Sequence, residues 1–184
     1  MRVLLAFFTL SVLVQCPRWA YAKPEPPRID NVAGSIGGST AQVRFTLRNA
    51  FPPEVVEALK SGIEITFKIT VRVERVYRGW FDPNLGEVRY TRSVRYDALA
   101  RVYRLQWENG SDLLPDVHAA LDRMTRFEVA VPIWGEVVRG KPYFASVRAR
   151  LDKVGLSDPL RSILFFSSLW DVETEWARGR LDTP

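Results

Sequence analysis

Ile63-Glu64-Ile65-Thr66-Phe67-Lys68-Ile69-Thr70-Val71-Arg72-Val73 alternates apolar and polar residues over eleven positions without a break. A side-chain period of two is that of a β-strand with one buried and one wet face, and an α-helix cannot produce it. Shorter alternations occur on both sides: Val43-x-Phe45-x-Leu47, Tyr103-x-Leu105-x-Trp107, Phe127-x-Val129-x-Val131-x-Ile133 and Tyr143-x-Ala145-x-Val147-x-Ala149-x-Leu151. Strands buried on one face only imply antiparallel pairing, because parallel sheets are covered on both faces. Between Val76 and Val88, Asp82-Pro83-Asn84 with glycines on either side is turn chemistry. The strands flanking it are expected to form a long hairpin with Trp80 and Phe81 near its tip.

Two short helices are expected among the strands. Pro52-Pro53-Glu54 opens a segment that closes on Lys60-Ser61-Gly62, which matches the helix dipole and the preference for proline at the start and glycine at the end. Leu114, Val117, Leu121 and Met124 repeat at helical spacing and predict a second helix of about three turns ending before Phe127. Many strands with few helices predict a mainly β fold, an antiparallel two-sheet β-sandwich of immunoglobulin-like or C2-like architecture, ahead of a partly open barrel. Gly34-Ser35-Ile36-Gly37-Gly38-Ser39 lacks the spacing and context of a phosphate loop and reads as a flexible turn. Asn109-Gly110 reads as a tight turn.

The first 22 residues have the pattern of a secretory signal peptide: Arg2, an apolar stretch from Val3 to Val14, and Ala20-Tyr21-Ala22 as a small-x-small exit. The stretch is shorter than the ~20 apolar residues that span a bilayer, so cleavage after Ala22 is expected ahead of retention as an anchor. Leu13-Val14-Gln15-Cys16 loosely resembles a lipidation site, but the bulky Gln15 fits it poorly. Cleavage removes the only cysteine and lowers the net charge from +5 to +3, since the leader carries Arg2 and Arg18 and no acid. Lys23-Pro24-Glu25-Pro26-Pro27-Arg28 then forms an extended spacer, and residues 29–184 a single β-rich domain. The location implied is the periplasm or cell envelope.

His118 is the only histidine, so one chain cannot assemble a catalytic triad or a histidine metal cluster, and its place beside an apolar stripe reads as structural. No catalytic constellation is recognisable and no cofactor is implied. Arg75, Arg78, Arg89 and Arg92 crowd the hairpin together with Trp80 and Phe81. In an exported protein this surface suits an envelope protein or an anionic envelope component, with peripheral membrane contact as one form of it, and not nucleic acid. The simpler reading is that many of these arginines pair with Glu74, Glu87 and Asp97. Trp80 and Phe81 either fold back over the sheet or stand out as an anchor. Asp171, Glu173 and Glu175 would share one face of a strand and could hold a divalent cation or work as paired acid and base, although a solvated or arginine-paired face is the simpler reading. In a helix the three would spread apart.

Read in order, several pieces resemble an uncharacterised family of exported bacterial proteins, one catalogued as a domain of unknown function. They are Pro53-Glu54 to Ala58-Leu59 running through Gly62-Ile63 into the long strand, Trp80-Phe81-Asp82, and Arg95-Tyr96-Asp97-x-Leu99 with Tyr103-x-Leu105. Arg150-Leu151-Asp152 and Trp170-Asp171-x-x-Thr174-x-Trp176 complete them. The resemblance covers nearly all of the mature chain. It implies export and a single domain, and brings no catalytic residues. The sequence therefore predicts a non-enzymatic binding module, with a metal-dependent binder or carboxylate hydrolase on Asp171, Glu173 and Glu175 as the alternative. Sequencing the amino terminus of the exported protein should return Lys23 as the first residue; Met1 would mean that the leader is retained.

Overall fold

The computed structural model describes residues 25–75, 84–152 and 172–183. In chain order these form β1 (Arg28–Gly37), β2 (Thr40–Arg48), α1 (Pro53–Lys60), β3 (Ile65–Arg75), β4 (Asn84–Asp97), β5 (Val102–Trp107) and β6 (Gly110–Leu114), then α2 (Val117–Thr125), β7 (Arg126–Pro132), β8 (Tyr143–Leu151) and β9 (Ala177–Asp182). All nine strands belong to one sheet, in the order β6-β5-β4-β3-β8-β9-β1-β2-β7. Every neighbouring pair is antiparallel except β1 and β9, which run parallel for a short stretch.

The long alternation behaves as read. Ile65, Phe67, Ile69, Val71 and Val73 are fully buried, while Thr66, Lys68, Thr70 and Arg72 face outward. The expected hairpin forms as well, with β3 and β4 paired from Ile65 opposite Val94 to Glu74 opposite Asn84. The two-sheet sandwich does not form. Alternation requires that one face be covered without saying by what, and here a single mixed sheet curls until its own far strand covers it. Near one end, the Trp134 amide donates to the Leu85 carbonyl at 2.6 Å, joining the segment after β7 to the start of β4. Gly86 lies where this happens. It occupies an inward position opposite Val73, and a Cβ there would collide with the Pro132 carbonyl. The sheet nevertheless stays open, with no ladder between β4 and β7.

Toward the other end the seam between β4 and β7 is filled by α2 and by Arg92. Arg92 stands opposite Phe67 on the inward face of β4, is only 6 % exposed, and donates from Nη1 to the carbonyls of Arg123 (2.8 Å) and Arg126 (2.7 Å). The Arg123 carbonyl is one of the last in α2 and has no partner within the helix, so a cation is favoured there twice, by the open acceptor and by the helix dipole. The guanidinium carbon lies 4.1 Å from the centre of the Phe127 ring, which itself stacks on Phe45 at 4.9 Å. Burial pulls the Arg92 pKa below its usual value.

The helices follow the sequence with one difference. α1 covers Pro53–Lys60, buries Val55, Ala58 and Leu59, and closes on Gly62 at φ 85°, whose amide donates to Leu59. α2 is shorter than expected because Leu114 ends β6 and Asp116 caps the helix, its side chain accepting from the Ala119 amide at 2.9 Å. Gly34 to Gly37 belong to β1, and only Gly38-Ser39 form the turn into β2. The turn expected at Asn109-Gly110 forms one residue earlier, at Glu108-Asn109, and Gly110 opens β6 opposite Trp107.

Gly86→Ala should lower the unfolding free energy by about 2 kcal/mol or more, as expected for a backbone collision that nothing can relieve. Arg92→Ala, which takes the donor from two part-buried carbonyl bonds, should cost about 2 kcal/mol. Urea denaturation measures both, and a loss below 1 kcal/mol would remove the seam from its place in stability.

Candidate functional site

The curl separates the two faces of the sheet. Inward positions build the core, and outward positions on β3, β4 and β8 form one polar surface. Thr70 lies at its centre, in register with Arg89 of β4 on one side and Arg148 of β8 on the other. Lys68 and Arg72 are its same-face neighbours along β3, and Arg150 stands opposite Lys68. A groove of about 550 Å³ runs over this area, lined among the described residues by five cations (Lys68, Arg72, Arg89, Arg148, Arg150) and two carboxylates (Glu87, Glu173).

One wall is Trp176. The chain from Val172 to Trp176 is extended: Glu173 bridges to Arg150, and Thr174 completes the edge of β8 by donating its amide to the Ala149 carbonyl while its hydroxyl accepts from the Ala149 amide, both at 3.0 Å. Ladder pairing resumes with Ala177 opposite Val147, one residue later than regular spacing allows. Such an extra residue re-aims side chains next to a bulge. Trp176 is left 39 % exposed on the outer face, with the guanidinium carbons of Arg72 and Arg148 at 4.6 and 5.9 Å from its ring centre. Cation–π attraction holds the ring and both arginines in one place.

The expected arginine pairing is present. Arg72 Nε and Arg89 Nη2 both reach Glu87, at 2.9 and 3.3 Å; Arg148 pairs with Glu173 at 2.7 Å, Arg178 with Glu74 at 3.1 Å and Arg104 with Asp97 at 3.3 Å. The hydrogen bond from Arg72 holds the Glu87 carboxyl below the usual glutamate range against the opposing effect of burial. Pairing is incomplete in the groove. Arg89 shares its carboxylate with Arg72 and leaves 83 % of its side chain exposed, and Arg150 has no acid partner among the described residues. A cavity of similar size beside the β4–β5 turn differs in this respect. Its Arg95 donates to the Gly62 carbonyl and its Arg104 to Asp97, and its acids Glu64 and Asp97 match the two arginines in number.

The residues singled out from the sequence separate. Arg89 faces the groove. Arg75 is half-buried at the end of β3. Arg92 is a correction, because hairpin register turns it inward to the seam and removes it from any partner surface. His118 is exposed in the first turn of α2 instead of lying against the core. Glu173 is held by Arg148, and Glu175 is exposed. Arg78, Trp80, Phe81 and Asp171 lie outside the described residues. Lys68, Arg148, Arg150 and Trp176 do not stand out as site residues in the sequence, although Arg150 and Trp176 help carry the family resemblance. Their alternation on β3 and β8 marked the first three as outward-facing, but only the pairing of β8 with β3 places them beside Arg72 and Arg89.

The model of one family, Domain of unknown function (DUF4390), matches residues 26–179. The chain belongs to the DUF4390 family. No curated protein and no solved structure matches it. The resemblance to a domain-of-unknown-function family is thus borne out, and the groove of this DUF4390 chain lies wholly within the matched residues.

Because the folded pKa of Glu87 lies below the ordinary glutamate value, its ion pair adds stability that is complete above that value and is lost as the pH falls through the depressed one. Acid denaturation followed by circular dichroism should therefore show a smaller loss of stability below about pH 4.3 in Glu87→Gln than in the wild type. Equal losses would mean that Glu87 gains nothing from Arg72.

Proposed function

We propose that the protein is exported to the periplasm or cell envelope and acts there without catalysis, binding an acidic envelope component on the outer face of β3, β4 and β8. The observation that carries this reading is the excess of cations in the groove, five against two carboxylates among the described residues, around an exposed Trp176. A guanidinium beside an aromatic ring is weakly hydrated and suited to ion pairing at a partly dry surface. The signal-peptide pattern directs the reading to envelope components, and the arms of the hairpin enter it through Arg72 and Arg89. Trp80 and Phe81, which lie outside the described residues, enter it as the aromatic pair that the sequence reading adds to these arginines. The alternative of a metal-dependent binder or hydrolase on Asp171, Glu173 and Glu175 has less support, since the Glu173 carboxylate is engaged by Arg148 at 2.7 Å.

Charge attraction at an exposed face weakens as salt shortens the screening length to ~10 Å at 0.1 M. Wild-type protein should sediment with the envelope fraction of its own cells at low salt and be released by about 1 M salt, where the screening length falls to about 3 Å. Arg89→Glu with Arg150→Glu should stay in the soluble fraction throughout. Equal sedimentation of both proteins would overturn the reading. Replacing Trp80 and Phe81 by Ser should reduce recovery with the envelope, and unchanged recovery would take the hairpin tip out of it.

A further inference from the structure

We infer that the groove is a seat for a phosphate group, with Thr70 at its floor and Arg89 and Arg148 reaching in from the two neighbouring strands; this rests on the anion-binding reading above and names the anion. Adjacent strands lie ~4.8 Å apart, so the two arginines start ~10 Å from one another with Thr70 midway. A group between them can accept from two guanidinium forks and from a hydroxyl at once. That number of donors suits a tetrahedral anion with three or four oxygens better than a carboxylate with two.

The carboxylates among the described residues leave this capacity free. Glu87 takes Nε of Arg72 and Nη2 of Arg89, and Glu173 takes Nη2 of Arg148, so the ion pairs of Arg89 and Arg148 each occupy one nitrogen of a five-donor group. Lys68 pairs with Asp152 at 2.8 Å and contributes charge at the rim, while Arg150 beside it brings a full positive charge that no acid among the described residues offsets. Glu87 and Glu173 then serve as placeholders that hold the arginines in position and yield part of them to a more highly charged anion. The stack of Arg72 on Trp176 fixes the wall through that exchange.

The same chemistry is offered by a soluble phosphate ester and by a phospholipid headgroup. Inorganic pyrophosphate is the soluble probe, phosphatidylglycerol vesicles are the lipid probe, and polyglutamate is the carboxylate comparator, each titrated calorimetrically into the full chain. Pyrophosphate should bind, about tenfold more weakly to Arg148→Gln and about threefold more weakly to Thr70→Val. Arg139→Gln, which removes the same charge outside the groove, should bind as the wild type does. Vesicle binding that pyrophosphate displaces would make the source a headgroup, whereas pyrophosphate binding without vesicle binding would make it a soluble ester. Polyglutamate binding at least as tight as pyrophosphate, or equal weakening in Arg139→Gln, would overturn the phosphate seat. Envelope retention, measured separately, would then decide whether the broader reading survives.

Discussion

The guanidinium of Arg92 bridges the one gap this sheet cannot close by backbone pairing. Nine strands in a single layer bury a face only by curling, and the curl brings β4 and β7 together at Gly86 while α2 keeps them apart further along. A buried arginine with no carboxylate would ordinarily cost several kcal/mol in lost hydration. Here two carbonyls, one of them an open acceptor at the end of α2, take the place of water at Nη1, the Tyr90 hydroxyl accepts from Nη2 and the face of Phe127 covers the group, while Nε has no hydrogen-bond partner among the described residues. A leucine would fill the volume and leave both carbonyls unpaired; a lysine could bond them but lacks the flat group that lies on the ring.

The curl also shapes the outer face. The alternation that sends Phe67, Ile69 and Val71 inward sends Lys68, Thr70 and Arg72 outward, so core and groove are two consequences of one pattern. β8 follows the same rule with Val147 and Ala149 inside and Arg148 and Arg150 outside. Setting β8 directly against β3 joins two rows of cations that are about 80 residues apart in the chain. Their mutual repulsion is held by Glu87, Glu173 and Asp152, each of which forms an ion pair across strands or with the segment beside them. Trp176 belongs to this face because the irregular pairing after Thr174 places it there.

What could be read from the chain divides along the range of the forces involved. β2, β3, β5, β7 and β8 were legible because each alternates with large apolar residues on one face. β1, β6 and β9 were not. β1 is interrupted by glycines and a bulge near Asn31, and β9 reads Ala177-Arg178-Gly179-Arg180-Leu181-Asp182, too polar to register as half-buried. Leu114 matched a helical stripe by spacing, yet pairing with Tyr103 of β5 fixed it in β6. Arg92 and Arg89 look equivalent in sequence, three residues apart on one hairpin arm. Their odd separation in a strand puts them on opposite faces, and the register of β3 against β4 decides which one is inside.

By itself the sequence determined that this is a mainly β protein with a long β3–β4 hairpin and the short helix α1, because local periodicity, turn chemistry and caps act within a few residues. Only the tertiary structure decided that one curled sheet, and not two, encloses the core, that Arg92 belongs to that core, and that Arg148, Arg150 and Trp176 join Arg72 and Arg89 around Thr70. Those outcomes depend on which strands become neighbours. Strand neighbourhood is set by the summed burial of the whole sheet and is not encoded in any one segment of it.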